Sequence, residues 1–361
     1  RFRQLATLRE YGHYQLSAHE RAELRQRHLD WYRQLAEQAG LEWHSEHQLD
    51  WLHRLHWETP DLREAMRFAQ DAAPSAALEM AINLRNAWAG MGKLQQGRQR
   101  IEQFLGAVSA EPSAQRLRAV TAVAELAFLQ ADIPTLTARQ AEARHMLDRV
   151  GDDDTIAHFK ANDAALALLC GQLERAQSLA QEPFATAGEF RTQIYALLVM
   201  IWAAAAAGDA PTAVAHAEHG LKLSEARGHD IVLRGYLLAA LALGRMVLGN
   251  LDGAEQAIRE CIPLSRGIND TNHCSTLLET AAWIATARQE PRRAAVLMAA
   301  AAAISRASGA DVISANVGGF HDSCERQVRE QLSPADYRSA SNQGRFLSLD
   351  EAVALVLDES I

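Results

Sequence analysis

The chain has 361 residues, 48% of them hydrophobic, and a formal net charge of −9. That acidity argues against a broad nucleic-acid-binding surface, which needs clustered Lys and Arg. No apolar stretch reaches about twenty residues without charges or turn signals, so no membrane-spanning helix is expected; the apolar run over 195–207 stops at Gly208-Asp209.

Along the chain, residues 1–73 are rich in Arg, His and Trp. The pattern predicts helices over 2–16, 18–38, 46–56 and 61–71. Ser17 with Glu20 three residues later makes a capping box, and Thr59-Pro60 reads as the opening of the fourth helix. From residue 75 a paired pattern starts, with helices A and B at 75–91 and 93–109, 114–131 and 134–149, and 154–170 and 172–181. Three more pairs follow at 189–207 and 211–227, 230–248 and 251–266, and 271–288 and 291–308. The turns hold Gly92, Asp132, Gly171, Gly208-Asp209, Gly249-Asn250 and Gln289-Glu290. Pro134, Pro211 and Pro291 open B helices, where a missing N–H costs nothing. Gly151, Gly228 and Gly309 are expected to end B helices as left-handed residues. Beyond them, Val317-Gly318-Gly319 reads as a flexible break, followed by helices over 321–332, after Ser333-Pro334, and over 349–358.

A small residue returns inside the same local pattern. Gly97, Ala176, Ala213, Ala254 and Ala294 each stand five residues after a turn residue, and a degenerate copy, Ala131 then Leu136, fills the one gap. These anchors are 39, 40, 37, 41 and 40 residues apart. Such a period means stacked units whose faces are buried against neighbours, so the usual inference of two or three globular domains from length does not apply. Ala-rich runs at 203–207 and 299–303 favour helix. The expected class is all-α: a right-handed superhelical solenoid of about six pairs, with a helical adaptor at 1–73, the solenoid at 74–309 and capping helices at 310–361.

Cys170, Cys261, Cys274 and Cys324 form no CxxC pair and read as small apolar packing residues of a cytoplasmic protein. No signal peptide is expected; the first residue is Arg and the pattern starts midway, so a piece of something longer is expected. His44 and His47, and His53 and His56, share a three-residue spacing that can suit zinc. His44 falls before the helix, however, and the pair His216 and His219 lacks an evident third ligand, so neither metal nor any other cofactor is expected. No GxSxG or HExxH motif points to catalysis. Asp152-Asp153-Asp154 reads as a helix opening.

Leu238, Leu241, Ala242, Gly249, Ala254, Ile258 and Cys261 match the large, large, small, Gly, small, large, small spacing of the tetratricopeptide (TPR) motif. The repeats therefore resemble TPR units in a long, degenerate form, with most of the motif's aromatics missing and a period above the usual ~34 residues. The ends resemble STAND-type regulators, bacterial transcriptional regulators with an NB-ARC-like ATPase module, akin to AfsR-like and maltose-regulator-like proteins. RFRQLATLREYG (1–12) resembles the close of their winged-helix part, RQRHLDWYRQLAE (25–37) the helix after it, and GRFLSLDEAVALVL (344–357) their closing helix. DWLHRLHWETPDLREAMRFA (50–69) resembles the next motif, with Trp51, Leu52, Leu55, Glu58, Leu62, Arg63, Ala65 and Ala69 in place and Asp61 where Asn is frequent. The resemblance implies the sensor half of such a regulator, partnered by its own upstream ATPase. No GxxxxGK[ST] loop occurs, so ATP binding by that route is not expected of this segment.

The TPR resemblance also implies that A helices line the inside of the curve. Transferring its groove register gives Glu79 and Asn86 in the first pair, Arg118, Thr121 and Glu125 in the second, and His158 in the third. The fourth gives Tyr195 and Trp202, the fifth Tyr236, and the sixth Glu279 and Trp283. Aromatic rings among acids and bases suit a small-molecule effector or a peptide or protein partner. Alternatively, Trp202 and Trp283 fill gaps between Ala-rich helices, as Trp88 is expected to do. The expected function is effector sensing that controls the attached modules; the alternative is a constitutive protein-interaction scaffold.

Overall fold

A computed structural model of the protein describes residues 11–12, 15–226, 230–268, 270–308 and 312–358. Among these residues the regular structure is helical, without strands. Two long helices, α1 (Ala18–Leu41) and α2 (Gln48–Ala72), form a hairpin in front. The six pairs then follow. The first is α3 (Pro74–Asn83) and α4 (Arg85–Gly90) with α5 (Leu94–Ala107), and the second is α6 (Ala114–Leu129) with α7 (Ile133–Arg144) and α8 (Leu147–Val150). The third is α9 (Asp153–Leu169) with α10 (Leu173–Thr186), and the fourth α11 (Phe190–Ala206) with α12 (Ala210–Ala226). The fifth is α13 (Ile231–Val247) with α14 (Leu251–Gly267), and the sixth α15 (Thr271–Ala287) with α16 (Pro291–Ser308). Helices α17 (Val312–Gln331), α18 (Pro334–Arg345) and α19 (Leu349–Leu357) close the chain. No helix among the described residues is long and apolar enough to cross a membrane.

The turn inside every pair is the same object. Gly92, Gly171, Gly208 and Gly249 have φ of 66°, 72°, 80° and 76°, and Ala131 and Gln289 take the same left-handed conformation at 53° and 64°. The amide after each of them donates to the carbonyl five residues back, as from Lys93 to Trp88 (2.7 Å) and from Asn250 to Arg245 (2.9 Å). This is the Schellman closure, which satisfies the carbonyls left over at a helix end. Asp132 and Asn250 then cap the next helix by accepting from Thr135 and Gly253. Five residues past each turn the anchor is buried: Leu136, Ala176, Ala254 and Ala294 are at 0% exposure and Ala213 at 1%. At Gly97 a Cβ would meet the Trp88 side chain at 2.8 Å, so the packing has no room for more there.

Several boundaries differ from the sequence reading. Thr59-Pro60 does not open a helix; α2 runs through Pro60. An interior proline costs about 3 kcal/mol, but the buried face of Leu52, Leu55, Leu62, Ala65 and Met66 is continuous across it and holds the helix together. The first A helix breaks at Leu84, and the second B helix after Arg144. Gly151 is extended (φ −76°) rather than left-handed. Val317-Gly318-Gly319 lies within helix α17 rather than forming a break. Gly228, Gly309, residues 1–10 of the N-terminal motif and most of the helix expected over 2–16 lie outside the described residues.

The ends continue the stacking. Helix α17 packs on α15 and α18 on α16, as a further hairpin would. Gly344 of α18 sits so close to α16 that a Cβ there would lie 2.1 Å from the Val296 carbonyl oxygen. At the front, α1 and α2 share one hydrophobic cluster with α3–α6, and Val232 and Ile268 from the fifth pair join it. The stack therefore curves back on itself.

Candidate functional site

Residues of the A helices form a polar seam between apolar layers. At its front Arg118 on α6 pairs with Glu79 on α3 (3.0 Å), and both are partly open to solvent. Deeper in, the Asn162 side chain on α9 donates to the Thr121 carbonyl on α6 (3.0 Å), and the Tyr195 hydroxyl on α11 donates to Asn162 (3.0 Å). One chain of hydrogen bonds thus joins three consecutive A helices.

Beside it lies a buried charge cluster. Arg191 on α11 pairs with Glu125 on α6, and His158 Nε2 stands 3.1 Å from Glu125 Oε2. Arg85 lies 3.7 Å from Glu189. Burial alone would raise the Glu125 carboxyl, but Arg191, His158 and Arg85 outweigh it and hold it well below the usual carboxylate range. Burial and the neighbouring Arg191 lower Arg85. Farther along, the Tyr236 ring lies 4.7 Å from that of His273, whose Nδ1 is 2.8 Å from the Ser265 hydroxyl. Burial pushes His273 down to about 4, so it is neutral at pH 7.

The eleven positions expected to line a groove fall into four settings. Asn86, Thr121, Glu125, His158 and Tyr195 are buried, and Thr121, Glu125, His158 and Tyr195 sit within the connected seam. Glu79, Arg118 and Tyr236 keep part of their surface open. Trp202 packs on Phe128 (ring centroids 5.8 Å apart). Glu279 and Trp283 lie under the closing helix: Trp283 donates to Glu279 (3.0 Å), His321 of α17 stands 2.6 Å from the same carboxylate, and Trp283 stacks on Phe320 at 5.5 Å. Arg85, Asn162, Arg191 and His273 were not singled out by the register. Two of them carried a signal, since Asn162 stands four residues after His158 and Arg191 four before Tyr195, on the same helical faces.

The seam also contains polar atoms with no protein partner. Arg85 Nε, Asn86 Oδ1, Arg191 Nε and His273 Nε2 are buried and meet no hydrogen-bonding group among the described residues. Others of the kind lie elsewhere in the stack, at Arg98, Gln140, Ser224 and Arg288 among them; buried polar groups are nearly always bonded.

The N-terminal hairpin closes the curve over the fifth pair. Asp230, the N-cap of α13, accepts from Leu233 N (2.9 Å) and from Gln48 Nε2 (2.9 Å), and His44 Nδ1 contacts its other oxygen. Gln48 Oε1 accepts from the amides of Ile231 (2.8 Å) and Val232 (3.2 Å). One glutamine of this hairpin thus caps a helix more than 180 residues away. His44 is therefore engaged with a carboxylate, and no group of three or more His, Cys, Asp or Glu side chains among the described residues could hold a metal.

These features define a TPR-like helical-repeat protein with a buried polar seam along its A helices. The fold is similar to that of the solved structure of a Rap protein complexed with competence and sporulation factor. That likeness has a TM-score of 0.55 and 11% sequence identity, and covers 93% of this chain and 96% of the other. At that identity it concerns the fold. No protein-family model matches the chain, and no curated protein matches it.

Proposed function

We propose that this chain is the sensing segment of a multidomain, cytoplasmic transcriptional regulator, with the adaptor at 1–73, the solenoid at 74–309 and the cap at 310–361. An effector or partner segment is received on the inner wall, and the adaptor passes the change to an attached STAND-type ATPase. The observation that carries the reading is the meeting of two features on one wall: buried polar atoms without protein partners, and the adaptor contact at Asp230 that spans the curve. A ligand favouring an arrangement in which 42–48 leave Asp230 shifts the equilibrium by its affinity ratio for the two states. The resemblances over 25–37, 50–69 and 344–357 support the regulator context. Exposed Trp31 (59%) and Trp57 (71%) on the adaptor suit a surface that meets another module. Partner binding has a precedent in this fold, since the Rap protein is complexed with competence and sporulation factor.

The test is a thermal-shift screen of metabolites and peptides on the native chain and on Asn86→Leu, followed by hydrogen exchange at 230–233. The expected result is a ligand whose stabilisation is lost in Asn86→Leu, although that variant remains folded, and which speeds exchange at 230–233. A ligand that binds through Asn86 but leaves that exchange unchanged favours the constitutive scaffold. Ligands indifferent to Asn86 remove the inner wall from the reading.

A further inference from the structure

A cleft of about 340 Å³ opens between α2, α4 and α5, away from the polar seam. Its size falls within the range of small-molecule sites, and such sites combine an apolar lining with a few placed polar groups. The floor is apolar, built by Leu55, Leu62, Met66, Leu84, Trp88 and Met91. The rim carries Arg63, Lys93 and Arg100, together with glutamines from α5, and no carboxylate lines it.

The nearby acids are committed elsewhere. Glu58 accepts from the Tyr32 hydroxyl (2.6 Å), Glu64 pairs with Arg67 (2.7 Å), and Glu102 lies 3.8 Å from Arg139. Among the described residues none of the three rim cations has a carboxylate within ion-pair distance. Other arginines of this chain, such as Arg98, Arg116 and Arg144, each find an acid within 3 Å. Burial and the adjacent Arg63 cation lower the Lys93 ammonium, as expected of two like charges left without a counter-charge.

We propose that this cleft binds a small organic anion: an apolar body seated on the Leu55–Trp88 floor and a carboxylate or phosphate head held by Arg63, Lys93 and Arg100. Arginine supplies forked donors and lysine a point charge, the pairing that suits an oxyanion. The occupant would bridge the adaptor helix α2 to the first repeat, and so would stiffen the joint between them. The site is separate from the inner wall and does not depend on its role.

The test is calorimetry on the full chain with decanoate and decyl phosphate, using decanol and decylamine as uncharged and cationic controls. The anions should bind at least tenfold more tightly than decanol, and decylamine more weakly still; the tighter of the two anions identifies the head group. The double variant Arg63→Gln, Lys93→Gln removes charges without burying new polar groups, so it should keep its helicity and melting temperature. Its affinity for the better anion should fall at least tenfold while that for decanol is unchanged. Equal binding of decanol and the anions overturns the proposal. So does an unchanged anion affinity in the double variant, or the absence of binding by all four probes.

Discussion

Replacing Gln48 by Met isolates the adaptor contact. Met fills a similar volume, so no cavity opens, and Gln48 is fully buried, so water does not already compete for its bonds. The substitution removes two bonds from the Ile231 and Val232 amides and one to the Asp230 carboxylate. Neutral bonds contribute about 1 kcal/mol each and bonds to a charged group about 1.5–3 kcal/mol. The expected loss is therefore about 3–5 kcal/mol if the contact is formed throughout the native ensemble. Because the partner lies more than 180 residues along the chain, the loss should appear locally first, as faster hydrogen exchange of the amides at 231–233. Each 1.4 kcal/mol of lost closure gives a tenfold increase in exchange. Exchange mass spectrometry and urea titration read the two quantities together. A loss below about 1 kcal/mol with unchanged exchange at 231–233 would show that the hairpin does not rest on α13, and the closed curve would be wrong. His53→Ala on the exposed side of α2 serves as the control.

Glu125→Gln removes the counter-charge of Arg191 and His158 in the interior and should cost about 3–5 kcal/mol in denaturant titration. The Glu125 carboxyl titrates below its unfolded value, so its contribution is complete above about pH 5 and is lost as pH falls; the variant should flatten the acid limb of the stability curve. The His321–Glu279 contact has the opposite sign. The hydrogen bond to Glu279 raises the imidazole pKa, so its contribution is complete below about pH 6.5 and fades as pH rises through the folded value. Gln289→Gly should stabilise by about 1 kcal/mol and Gly249→Ala should cost about as much, since both positions are left-handed; equal and opposite shifts in melting temperature would check this. Gly344→Ala should cost about 2–3 kcal/mol and raise proteolysis after residue 331, because its methyl group collides with the α16 backbone. Asn162→Leu, which breaks bonds at both ends of its side chain, should cost about 2–3 kcal/mol, whereas Asn86→Leu should be neutral or stabilising, because its buried carbonyl bonds nothing.

The turns were legible because their chemistry is local. A left-handed residue followed five positions later by a small one describes a hairpin between close-packed helices whatever surrounds it, and even the odd cases, Ala131 and Gln289, adopt the glycine conformation. Pro60 misled for the converse reason. Its local penalty is real, but the continuous apolar face of α2 lies on both sides of it and prevails. The seam was legible in part. Register transfer marked Thr121, Glu125, His158 and Tyr195 as groove-lining, whereas they lie buried in it; Arg191 and Asn162 are marked only by their i±4 spacing from Tyr195 and His158 within Ala-Leu runs. The contact of Gln48 with Asp230 left no local mark. It arises from the small rotation between successive pairs summed over five of them, and no window of sequence contains that sum.

The same seam invites a choice between architecture and recognition, and its own bonding pattern separates the two. A polar chain such as Thr121–Asn162–Tyr195 has both ends satisfied and fixes how α6, α9 and α11 slide on one another; removing it loses bonds and gains nothing. Arg85 Nε, Asn86 Oδ1, Arg191 Nε and His273 Nε2 do not take part in such chains. Each such atom left without a bond costs about 1–3 kcal/mol of desolvation, offset at Arg191 and His273 by the contacts their other nitrogens make with Glu125 and Ser265. A wall that meets a polar guest, or that opens when the adaptor leaves Asp230, gives each of them a bond in the second state. The opposite signs expected for Asn162→Leu and Asn86→Leu therefore measure, on one helix stack, how much of the polar seam serves the fold and how much serves a partner.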